Sequence, residues 1–83
     1  MLSINEINNQ TTVIFRDVLE NDEIVLQDTT TADDIEEWDS LSHIQLIVAL
    51  EKHFKIRFST AEITSYKNVG EMLAGIQKKL SNA

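Results

Sequence analysis

The stretch Asp39-Ser40-Leu41-Ser42-His43 has more chemistry to offer than any other part of this 83-residue chain. Taken together, Asp39, Ser40 and His43 are the parts of a hydrolytic triad. Their spacing argues against that use. Ser40 and His43 fall on neighbouring positions of one helix, which does not leave a base held by the acid and aimed at the hydroxyl, and no Gly-rich turn is near to supply an oxyanion hole. His43 and His53 are therefore expected to be plain surface or boundary residues. They are ten residues apart in a chain without cysteine, so they do not suggest a metal site either. Ser40 itself remains. A long polar segment ends at Trp38 and an apolar helical pattern begins at Leu41, which places Ser40 at a helix N-terminus. Unpaired backbone N–H groups and the positive end of the helix dipole favour an anion there, and the hydroxyl offers an ester oxygen for a phosphate attached covalently. Asp and Ser are also among the commonest helix caps, so the position alone specifies only a cap, and the surroundings must decide.

The surroundings begin with charge. Residues 1–39 hold eleven Asp and Glu against the single Arg16, whereas residues 40–83 hold three acids against six Lys and Arg, within a formal net charge of −7. The asymmetry breaks at Ser40. An excess of carboxylates argues against nucleic acid as a partner, because phosphate binding needs clustered Lys and Arg; the acidic half creates a field that would steer basic partners. The length suits one domain, 1–83, with a modest core. The longest apolar run, Leu46–Leu50, is too short to insert in a membrane, and the first residues lack a basic and an apolar leader region. The reading is a cytoplasmic monomer. The absence of cysteine excludes disulfides, and any thiol chemistry must come from a cofactor.

The elements that must position Ser40 follow from apolar periodicity. Leu2, Ile4, Ile7, Thr11, Ile14, Phe15 and Val18 mark one face of a first helix over about Ser3–Leu19, with Ser3 and Glu6 spaced as a capping box. From Glu20 to Trp38 the pattern dissolves into a long loop, in which Ile24, Leu26, Ile35 and Trp38 are expected to be pinned to the core. Its acidic part is not a calcium loop, since the sixth position from Asp28 is Asp33 where glycine is required. A second helix runs from about Asp39 to Lys52 or Phe54. It carries two apolar arcs, one of Leu46, Ile47, Leu50 and Phe54 and another of Leu41, Ile44 and Val48, with Glu51 between them and Ser42, Gln45 and Lys52 on the polar side. One stripe suffices to join a core; the second is either buried between helices or an exposed ridge for another protein. Ile56 and Phe58 lie in a connector, Ser59 or Thr60 caps a short third helix through Thr64, and Asn68 with Glu71 caps a last one with apolar Val69, Met72, Leu73, Ile76 and Leu80. Gly75 interrupts that helix at some cost. The fold class is all-α: an irregular four-helix bundle with three longer helices, one short third helix and a long loop between the first two.

With Asp39-Ser40-Leu41 opening an apolar helix after a long acidic loop, in a chain of this size, charge and helix order, the sequence resembles the acyl carrier protein family over nearly its whole length. The resemblance implies a covalent carrier and not an enzyme. It implies that Ser40 carries 4′-phosphopantetheine, flanked by Asp39 and Leu41, attached by a phosphopantetheinyl transferase. The arm would hold acyl groups as thioesters and present them to acyl-activating, acyltransferase and ketosynthase-type enzymes, with Leu41, Ile44, Val48 and Glu51 at the partner surface. One departure stands out. Carriers of fatty acid synthesis typically show several carboxylates along the second helix, where this chain has Ser42, Gln45 and Lys52. That points to a specialised acyl or polyketide-type pathway. The run Ile44-Gln45-Leu46-Ile47 is similar to D-alanyl and other aminoacyl carriers, and Trp-Asp before Ser40 differs from the Gly-Gly-His of peptidyl carriers. A different class of reading also fits the residues: an acidic helical adaptor for a basic partner, in which Ser40 is only a cap.

Overall fold

The computed structural model of the chain describes residues 3–81. Its helices are α1 (Ile4–Leu19), α2 (Ser40–Phe54), α3 (Thr60–Ser65) and α4 (Val69–Ser81), with a single 3-10 turn at Ala32–Asp34 in the long loop and no strand among the described residues. The expected capping box opens α1: Ser3 Oγ accepts the Glu6 N–H at 3.2 Å and Ser3 N–H donates to Glu6 Oε1 at 3.3 Å. The buried face is Ile7, Thr11, Phe15 and Leu19, with Ile14 and Val18 packed at its margin. Ile4, expected on that face, is exposed in the first turn, and Leu2 lies outside the described residues. The Thr11 hydroxyl is fully buried and has no partner among the described residues.

The helices α2 and α4 both pack on α1. Leu46, Ile47, Leu50 and Phe54 of α2 join Val69, Met72, Leu73 and Ile76 of α4 in one core. Four side chains pin the long loop, as their apolar character suggests: Ile24, Leu26, Ile35 and Trp38 are all buried, and the Trp38 ring meets Phe15 edge-on at 5.0 Å. Burying a loop is costly unless its backbone polar groups are paired, and here other elements pair them. Arg16 Nε donates to the Ile24 carbonyl at 2.8 Å and Asn8 Nδ2 to the Leu26 carbonyl at 3.2 Å. The carbonyls of Thr30 and Asp28 accept the Val69 and Gly70 N–H groups at 2.8 and 2.9 Å. Those amides are in the first turn of α4, where no intrahelical acceptor exists. Loop and helix end thus satisfy each other, and Gly70 is required for it: a Cβ there would lie 2.9 Å from the Asp28 oxygen.

The interior Gly75 also has a tertiary reason. A Cβ at that position would collide with the Tyr66 hydroxyl, so the weak helix former leaves room for a ring that packs edge-on against Phe58.

The short α3 cannot hold itself as a helix and is clamped from two sides. Ser59 and Glu62 form a capping box at 3.2 and 2.8 Å, and Glu62 also takes a 2.8 Å ion pair from Lys79 of α4, whose ammonium lies 5.5 Å from the Phe58 ring centre. The Lys79 hydrogen bond, followed by the Ser59 amide, holds the Glu62 carboxyl down at about 2, against 4.5 ordinarily. A carboxyl whose folded value is depressed contributes stability that is complete above its unfolded value and is lost as pH falls through the folded one. The α3 clamp is therefore expected to weaken between pH 4.5 and 2. In a carboxyl-carbon NMR titration, Lys79→Met should move the Glu62 midpoint back toward its ordinary value. An unchanged midpoint would show that Lys79 is not the cause.

Candidate functional site

Ser40 is the first residue of α2, behind Asp39 as N-cap. Asp39 Oδ1 accepts the Ser42 N–H at 2.9 Å, and Ser42 Oγ accepts the Asp39 N–H at 2.8 Å while donating to the Glu37 carbonyl at 2.9 Å. Ser42 is consequently 9% exposed. Helical periodicity places it on the polar side, but its hydroxyl has three backbone partners within reach and turns inward to meet them. The Asp39 carboxyl lies below its ordinary value, held there first by the Ser42 amide, then by the Ser42 side chain and, more weakly, by the Leu41 amide. This modifies the expectation of a helix end free for a phosphate. Asp39 takes much of the anion-binding capacity of the first turn, and a group attached at Ser40 shares the rest with an ionised neighbour.

The Ser40 side chain is exposed, and its hydroxyl has no hydrogen-bond partner among the described residues. Beside it opens a cleft of about 560 Å³ whose walls include Trp38, His43, Ile44, Ile63 and Met72. His43 fixes that cleft. The indole N–H of Trp38, which can only donate, points at His43 Nδ1 at 3.1 Å, so Nε2 carries the ring proton and donates to the Ile63 carbonyl at 3.3 Å. The two rings stack at 5.9 Å and 27°. His43 is half-buried and ties the start of α2 to both the long loop and α3, a positioning role that treating it as a plain boundary histidine misses. The only signal in the sequence is a tryptophan five residues upstream, at the end of a loop whose course periodicity does not give. His53 is exposed, as expected, and its Nε2 meets Gln10 Oε1 at 2.7 Å.

The second apolar arc of α2 is exposed: Leu41 by 70%, Ile44 by 53% and Val48 by 43%. Of the two arrangements open to this arc, the ridge is the one the fold adopts. Glu51 differs from the other three residues expected at the partner surface. It is half-buried, and its Oε2 accepts the Phe58 N–H at 2.8 Å, stabilising the turn that leaves α2.

Residues 9–76 match the family model described as a phosphopantetheine attachment site. The solved structure of a holo acyl carrier protein from Geobacter metallireducens is similar to this chain at 49% identity, with a TM-score of 0.85 over 89% of this chain and 85% of that one. The chain belongs to the acyl carrier protein family. No curated protein matches it. As a carrier it is not a catalyst: it bears 4′-phosphopantetheine covalently and is acted on by a phosphopantetheinyl transferase and by acyl-handling enzymes. The reading as a non-carrier acidic adaptor falls with that membership. Among the described residues no group of His, Cys, Asp and Glu is placed to hold a metal ion, and no helix is long and apolar enough to cross a membrane. The Ser40 region fits the carrier's cofactor on its own geometry, with an unpartnered, solvent-facing hydroxyl at the rim of an apolar cleft.

Proposed function

We propose that residues 1–83 form one carrier domain in which Ser40 is the attachment serine, serving a specialised acyl pathway and not general fatty acid synthesis. The observation that carries the assignment is the exposed Ser40 hydroxyl, without a partner, at the mouth of the cleft walled by Trp38, Ile44, Ile63 and Met72. When bound, the arm supplies the thiol that this cysteine-free chain lacks. The chain's own residues do the rest. Asp39 and Ser42 fix the first turn, so that Ser40 is presented on a rigid element. His43 and Trp38 hold the cleft wall, and Leu41, Ile44 and Val48 offer the apolar ridge on which a transferase or an acyl-using enzyme seats. The mostly apolar character of the cleft favours acyl over aminoacyl cargo, because its one carboxylate, Asp39, is engaged by the Ser42 amide and Lys67 adds a cation, so a charged amine would be desolvated there with poor compensation.

Support for a specialised pathway comes from Gln45 and Lys52, both exposed on α2. Loading is tested by intact mass after incubation with coenzyme A and a broad-specificity phosphopantetheinyl transferase, where the chain should gain one phosphopantetheinyl group. The pathway is tested by malonyl transfer with a fatty acid synthase transacylase. Transfer to this carrier should be slow, and Gln45→Glu with Lys52→Glu should speed it. Transfer as fast as to an ordinary fatty acid carrier would remove the specialised reading.

A further inference from the structure

The exposed ridge of α2 does not end at Val48. Past it lies a shallow depression lined by Val48, Glu51, Lys52, Lys55, Ile56 and Arg57. Lys52, Lys55 and Arg57 are exposed, and none of their side chains has a hydrogen-bond or ion-pair partner among the described residues. The one carboxylate in the depression, Glu51, is turned toward the Phe58 amide at 2.8 Å. A chain with twice as many acids as bases therefore concentrates three unpaired cations in six residues, at the end of its exposed apolar strip. Cations in the last turn of a helix also complement its dipole, which accounts in part for Lys52 and Lys55. It does not account for Arg57, two residues past the cap. Lys55 moreover occupies the cap in the left-handed conformation, φ 58°, where glycine is sterically cheaper.

The opposite end of the same surface has the opposite sign. Asp39, exposed, caps the helix immediately before Ser40 and lines the cleft beside it. From the start of α2 onward, the Asp39 carboxylate gives way to an apolar centre and then to cations. At 1.5 Å per residue, Lys52 and Lys55 stand about 18 and 22 Å from Ser40 along the helix. Polarity of this kind sets the register and direction in which a partner lies down, since like charges in juxtaposition exclude the reversed or mismatched pose.

We infer that Lys52, Lys55 and Arg57 form the cationic half of the docking surface, and that the enzymes served by this carrier meet it with a carboxylate-bearing rim about 18–22 Å from the mouth of the channel that receives the arm. The inference rests on the carrier reading of Ser40 but goes beyond it, because it fixes the charge of the partner at a distance from the attachment point.

The test uses a fatty acid ketosynthase with a Lys- and Arg-lined entrance, together with the same enzyme in which the rim cations at that distance are changed to Glu. The carrier is the full chain with Ser40→Cys, whose thiol is unique because the chain has no other cysteine. A bis-bromoacetyl linker of pantetheine length joins it to the active-site cysteine of the ketosynthase, each thiolate displacing one bromide. Crosslinking to the Glu-rimmed enzyme should be roughly tenfold faster than to the cation-rimmed one. The order should reverse when Lys52, Lys55 and Arg57 are all changed to Glu, and the preference should vanish when they are changed to Gln. Equal or faster crosslinking to the cation-rimmed enzyme would overturn the inference, as would a preference that the Glu and Gln variants leave unchanged. The swap on the enzyme leaves the carrier's fold untouched, so a destabilised carrier variant does not blur the result. No enzymatic loading enters this assay, so failure of the Ser40 assignment would show separately, as an unmodified mass with coenzyme A and the transferase.

Discussion

Ser40→Ala protein is expected to keep its unmodified mass after treatment with coenzyme A and a phosphopantetheinyl transferase, while the unaltered chain is converted. Loss of loading should be complete, because no other hydroxyl combines exposure, a helix start and the neighbouring cleft. The fold should survive. Cap substitutions cost up to about 2 kcal/mol when the capping oxygen is lost, but here that oxygen belongs to Asp39, which accepts the Ser42 N–H at 2.9 Å. The Ser40 hydroxyl has no partner to lose, so the change in stability should stay below ~1 kcal/mol. For a domain of this size that corresponds to a melting shift below about 8 °C. Residual loading of Ser40→Ala would refute the assignment, and unfolding would reveal a structural role for the hydroxyl.

The second large effect is a contrast along α2. Ile47 is 3% exposed, whereas Ile44, three residues before it, is 53% exposed. Truncating the buried one, Ile47→Ala, should cost about 2–5 kcal/mol, through lost burial and the cavity left behind. Truncating Ile44 or Val48 should cost under about 1 kcal/mol, since a half-exposed side chain has less burial to lose. Function should respond the other way. Ile44→Ala and Val48→Ala are expected to slow loading or delivery although the domain stays folded, because apolar residues at the centre of an interface carry most of its binding energy. Thermal melts beside loading rates check both halves. If Ile44→Ala melts as low as Ile47→Ala, the ridge is part of the core and the docking role is lost.

The same contrast shows what could be read from the residues alone. Periodicity and caps locate all four helices, and the alternation of apolar and acidic residues in the long loop marks the four side chains that anchor it. Periodicity also divides α2 into two apolar arcs, but it has no means to say which of them a neighbour covers. That depends on α1, which packs against the helix from elsewhere in the chain. Ser42 illustrates a second limit: its place on the helical wheel is polar, yet the reciprocal bonds with Asp39 and Glu37 draw it inward. The links that hold the cleft and its surroundings are longer in range, from His43 to Ile63, from Glu62 to Lys79 and from Gly75 to Tyr66. Each joins residues whose separation has no local period to betray it. The proposed attachment site at Ser40 rests on local chemistry, one cap and one helix start, which the residues alone can show.

The pairing of the Thr30 and Asp28 carbonyls with the Val69 and Gly70 amides has a consequence for the order of events during synthesis. The loop leading to Ser40 has little regular structure of its own, and two of its carbonyls find their acceptor role only in a segment about forty residues later. On a ribosome, where the chain emerges from its N-terminus, Ser40 is exposed to solvent well before the platform that presents it is complete. Closing such a long-range contact must await residues 69 and 70 and the loop-closure entropy they bring. A transferase that reads the folded start of α2 would therefore pass over nascent chains and prime only those in which α4 has already docked.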